Sequence, residues 1–113
     1  AAIGERLAAA AGAFEQVVDY VTANLKADVK AVFAGSVPYL KLAGIVLGGW
    51  QMARAALAAE RRLKAGEGDT EFLRAKIATA RFFADHLLTQ APGYRAAIVD
   101  GGASVMALDE QQF

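Results

Sequence analysis

Asp85 and His86 are neighbours near the end of an apolar-periodic segment, and His86 is the chain's one histidine. An imidazole beside a carboxylate is what a general base needs, the carboxylate fixing its orientation. No motif supplies a serine nucleophile for such a base, and the chain has no cysteine. A histidine in the last turn of a helix is also favoured by the helix C-terminus alone, so the pair reads as a surface or half-buried feature. Glu15 and Asp19, four residues apart, share a helix face as metal-binding carboxylates do. Di-metal bundles, however, draw Glu-x-x-His from two helices, and that motif is missing here. Glu60, Arg61, Arg62 and Lys64 form a charged cluster of the right type to touch a phosphate, although solvation is the ordinary role of such a run. No residue is assigned to catalysis, to a cofactor or to a metal.

The most unusual stretch is SVPYLKLAGIVLGGWQMAR, residues 36–54, where Gly44, Gly48 and Gly49 sit among Leu, Ile and Val just before Trp50. Each glycine inside a helix costs about 0.5–1 kcal/mol relative to alanine, so a return elsewhere is expected. A phosphate-cradling loop needs a strand-to-helix turn, and no strand precedes these glycines. A membrane pairing motif needs a longer apolar segment. The glycines therefore read as one side of a helix that a neighbour approaches closely, inside the domain or between domains. Trp50, Phe82 and Phe83 join them as large apolar groups whose burial in a core or interface needs no cofactor.

These residues have to be carried by helices. Ile3, Leu7, Ala10, Phe14, Val17, Val21 and Leu25 recur at spacings of four and three, which predicts a first helix over 3–27 with a bundle-type seam. Asp28 suits an N-cap. Pro38 either opens the main helix, with Ser36 as its cap, or kinks one already running. That second helix extends to about Lys64, and its nearly continuous apolar surface predicts that it is the most buried. Gly66-Glu67-Gly68-Asp69 is a break, with glycine ending one helix and Asp69 or Thr70 capping the next, over about 70–90. Ala91-Pro92 opens a fourth helix that Gly101-Gly102 ends or bends, and the LDEQQF tail reads as exposed. The expected fold is all-α, an up-down four-helix bundle forming a single helical domain over 1–113.

Composition removes several function classes. Twelve basic residues balance twelve acidic ones, which is not the basic footprint nucleic acid demands. The longest uncharged run, Leu42 to Ala53, falls short of the roughly 20 residues of a spanning helix, so no membrane span is expected. The lack of cysteine excludes disulfides and thiolate metal sites and suits a reducing, cytoplasmic setting. The start at Ala1-Ala2-Ile3, already within a helical pattern, reads as a piece of something longer.

With the helices placed, VPYLKLAGIVLGGWQMARAAL, FLRAKIATARFFADHLL and the ending ALDEQQF resemble, in order, the C-terminal helical domain of certain bacterial acyl-CoA dehydrogenases. The likeness covers most of 34–113, while the first thirty residues match only as a generic helix. The resemblance implies a parent enzyme of fatty acid metabolism that uses FAD to introduce a double bond between the α and β carbons of an acyl-CoA thioester. In that family a glutamate takes the α proton while hydride passes to the flavin, both in an upstream catalytic body. No catalytic or flavin-binding residue is carried onto this chain. The implied role is a non-catalytic structural domain, packed on the upstream catalytic domains of the same polypeptide in a homo-oligomer. The alternative is a free-standing helical protein-interaction module.

Overall fold

The computed structural model describes residues 2–113, and among these there is no strand. Helix α1 spans Ala2–Asn24, α2 Val29–Ala34, α3 Ser36–Ala65, α4 Thr70–His86, α5 Ala91–Asp100 and α6 Gly102–Val105. Short 3-10 turns occupy Leu88–Gln90 and Glu110–Gln112. The helix ends follow local chemistry. Asp28 caps α2 by accepting from Ala31 N at 3.2 Å, so the expected first helix stops at Asn24 and a short helix intervenes before the main one. Pro38 sits in the first turn of α3, where its missing N–H would have had no partner. At the other end Gly66 adopts the left-handed conformation, φ 71°, that closes α3. Asp69 then caps α4, its carboxylate accepting from Glu71 N and Phe72 N.

The up-down four-helix order does not occur. Positions along α3 meet later residues in reverse sequence. Ala55, Ala58 and Ala59 share a shallow groove with Phe72 and Leu73, Gly48 faces Phe83, Gly49 faces Leu88, and Gly35 faces Ile98. Thus α4 and α5 both run antiparallel to α3, end to end, and α1 is antiparallel to α3 as well: Ile3 lies by Ala53 and Leu57, whereas Val21 and Leu25 lie by Ser36 and Tyr39. The reason is the junction. Leu87, Gln90 and Ala91 all keep right-handed helical dihedrals, and Pro92 suits a first helical turn, so the chain bends without turning back. The 17, 3 and 10 residues of α4, the 3-10 turn and α5 together match the 30 residues of α3. The result is three rods, with α3 antiparallel to the other two, which run parallel to each other, and the third one broken.

Ala10, Ala13, Val17, Leu42, Ala84, Leu88, Ala91 and Ile98 form the core where the rods meet. Alanine dominates it, so the rods approach closely but hide little area per residue. Helix α3 is not the most buried element. Only Leu42, Gly49, Ala56 and Ala59 are buried in its 30 residues, because three rods enclose one side of each helix and nothing covers the other. A radius of gyration of 18.4 Å, against about 13 Å for a compact domain of this length, reflects a long, narrow form with extents of 65 × 29 × 17 Å. By length and composition, α3 is also apolar enough to cross a membrane, with mean hydropathy 1.3 over 18 residues. The uncharged run alone did not suggest this, since two isolated charges leave the average high.

Candidate functional site

The residues with catalytic potential are not assembled into a site. The Asp85 carboxylate accepts from Arg81 Nε at 2.9 Å, an exposed pair on one helix face. The exposed His86 ring lies instead on Phe82, with centroids 4.6 Å apart. Glu15 and Asp19 are both exposed on α1. Glu60 meets Lys64 at 3.6 Å in a solvated pair, and Arg61 and Arg62 are exposed beside it. Among the described residues no three His, Asp or Glu side chains are grouped as metal ligands, and no polar or charged residue is buried. A groove of about 400 Å³ lies between Ile3, Gly4, Ala53, Ala56, Leu57, Glu60 and Ile77. Its one charged side chain is a carboxylate, which would repel a pyrophosphate. These residues do not fit a flavin.

The glycine-rich stretch of α3 divides between two surfaces. Gly49 is buried under Leu88 and Gly48 half-buried under Phe83, so these two let α4 and the following turn approach. A β-carbon at position 44 would meet nothing within 4 Å. Gly44 is exposed, and its helical cost of about 0.5–1 kcal/mol is not returned by any contact inside the domain. Around it α3 exposes Val37, Leu40, Leu47, Trp50 and Leu57, with Leu40 73% and Leu47 61% accessible. Leu40, Gly44, Leu47 and Gln51 are spaced four, three and four apart, which makes one stripe along the outer face. Burying a leucine is worth roughly 1.5–3 kcal/mol, so leaving this stripe in water forgoes several kcal/mol. Trp50 is half exposed under Arg54, whose guanidinium carbon is 5.1 Å from the ring centroid. The two aromatic neighbours in α4 also part company, Phe83 reaching toward the core and Phe82 pointing outward. The leucine stripe was missed by sequence reading; its four-three-four spacing was the available signal.

The decisive likeness covers nearly the whole chain: the family described as acetyl-CoA dehydrogenase C-terminal like matches residues 1–109. The chain belongs to that family. The match starts at the first residue, so α1 is as much part of the family domain as the stretches from Val37 onward. The chain is also 44% identical over 104 residues to the 3-methylmercaptopropionyl-CoA dehydrogenase of Ruegeria pomeroyi. That alignment takes in 92% of this chain but only 18% of the relative. The chain therefore spans less than a fifth of the length of the curated relative it matches.

Proposed function

We propose that this chain is a non-catalytic C-terminal domain of a flavin-dependent acyl-CoA dehydrogenase, which stabilises the catalytic body and contributes to its homo-oligomeric assembly. One observation carries the reading: a domain matching less than a fifth of a dehydrogenase leaves an apolar helix face uncovered. In the proposed parent, FAD accepts hydride from the β carbon of an acyl-CoA in domains upstream of this one. The residues here supply none of that chemistry, because dehydrogenation needs a base at the α carbon and a flavin in hydride reach of the β carbon. Glu15, Asp19, Glu60 and Glu71 are exposed, and Asp85 is paired with Arg81. The expected setting is cytoplasmic, in keeping with the cysteine-free sequence, and cell fractionation tests that part.

The function is tested by expressing the parent enzyme with and without residues 1–113. The truncated enzyme is expected to melt at lower temperature or to lose its native oligomer mass, while each remaining flavin-loaded active site still oxidises acyl-CoA with an artificial electron acceptor. The 113-residue chain alone is expected to carry no flavin absorbance and no turnover. Stoichiometric flavin in that chain, or truncation without effect on melting and assembly, would overturn the proposal.

A further inference from the structure

We infer that the outer face of α3, from Val37 to Arg54, is the surface by which this domain seats on the rest of its own polypeptide. The site it meets is an apolar surface carrying carboxylates opposite Lys41 and Arg54. This rests on the proposal that the domain belongs to a longer dehydrogenase and names the contact through which it would act.

Three observations lead there. The face is apolar, with Val37, Leu40 and Leu47 exposed on either side of the open space at Gly44. A large contiguous apolar patch on a folded domain marks an interface, and a glycine with nothing over it admits a helix or loop backbone at close range. Second, the only charges between Ser36 and Ala59 are Lys41 and Arg54. Both are exposed, and neither is among the ion pairs of the described residues. Third, more than four-fifths of the aligned dehydrogenase lies outside the matching stretch, so a large body is at hand to cover the face.

The charges decide between that body and a second copy of this domain. Two copies packed in parallel through α3 would set Lys41 against Lys41 and Arg54 against Arg54. Packed antiparallel about Leu47, the middle of the patch, they would set Lys41 beside Arg54. Like charges brought together while water is excluded are repelled more strongly than in solution. A different surface with carboxylates at those two places removes the conflict and fixes the register along the stripe.

The test uses the full-length enzyme. Thiol modification by an uncharged maleimide is followed on the peptide containing Leu47→Cys and on that containing Glu67→Cys, an exposed loop position. The first is expected to react about tenfold or more slowly, as a site covered except during local opening does. Carbodiimide treatment of the unsubstituted chain is expected to join Lys41 to a carboxylate upstream of Ala1. Comparable rates at the two positions would show the face open and overturn the inference. So would protection that vanishes when the enzyme is diluted to monomers, which would assign the face to a second copy. Protection seen only with anionic phospholipid vesicles would assign it to a membrane and equally overturn it. An open face would leave the assembly role standing on another surface. Slow labelling together with unaltered stability on truncation would do the reverse, keeping the seat and removing the role.

Discussion

Gly49 and Leu88 are packed so tightly that a β-carbon on the glycine would lie 2.6 Å from Leu88 Cδ2 and 3.1 Å from both Cδ1 and Cγ. Leu88 is 2% exposed and belongs to the core, so its side chain has little room to swing away. This contact holds α3 against the turn between α4 and α5, where the third rod bends. Gly49→Val is expected to destabilise the domain by about 1–3 kcal/mol through overpacking. Gly48→Leu should act in the same direction, because a β-carbon there already stands 3.0 Å from Phe83 Cζ. Urea unfolding followed by circular dichroism measures both, and unchanged midpoints would mean the rods part without cost.

Gly44 should behave in the opposite way. Four residues before Gly48 on the same helix, it has nothing within 4 Å of an added β-carbon. Gly44→Ala therefore gains helix propensity with no steric cost, and the 113-residue chain is expected to become more stable by about 0.5–1 kcal/mol. If the outer face of α3 is the proposed seat, the same change in the parent enzyme should be neutral or unfavourable, since it would narrow the space at Gly44. A loss of stability in the 113-residue chain would contradict the open environment of Gly44.

The hairpin between α3 and α4 depends on two local devices, the left-handed Gly66 and the Asp69 cap, which accepts from Glu71 N and Phe72 N at 3.0 and 3.3 Å. Asp69→Ala strands those donors and is expected to cost about 1 kcal/mol. The exposed cap lies beyond the C-terminal end of α3, more than five helical turns along the chain from Leu47, so labelling at position 47 should not change. A Tm equal to that of the unaltered chain would show the cap to be dispensable.

These local devices were the legible part of the sequence. Asp28, Gly66 and Asp69 act through their own backbone neighbours, so their roles can be read from residue type and position. The direction of α5 could not be read in this way. Ala91-Pro92 opens a helix after a reversal as well as after a bend, and only the dihedrals of Leu87 to Ala91 separate the two. Reading α3 as the most buried helix failed for a related reason. An apolar surface all round shows that water is avoided on every side, but not whether the cover comes from this domain. Gly44, Gly48 and Gly49 looked alike in sequence and were divided by whether a rod lies opposite: the third rod packs on Gly48 and Gly49, and nothing packs on Gly44.

The Asp85–His86 pair gives the sharpest test of the non-catalytic reading. In a working dyad the carboxylate would hold the imidazole; here it is held by Arg81 Nε at 2.9 Å, and His86 rests on Phe82 near the end of α4. Both lie on an exposed edge of the domain, where water would solvate any substrate proton they might take. A positioned general base contributes about 10²–10⁴-fold to rate, so removing one from an active site is readily seen. His86→Gln in the parent enzyme is therefore expected to leave kcat/KM for acyl-CoA within about twofold, far less than removing such a base costs, with flavin content unchanged. Asp85→Asn should match it in activity and cost a few tenths of a kcal/mol at most, the scale of an exposed i, i+4 ion pair. The pH profile of kcat/KM separates the outcomes. Identical limbs in the His86→Gln and unaltered enzymes are expected, and loss of a limb together with a rate drop of roughly a hundredfold would place His86 in the chemistry.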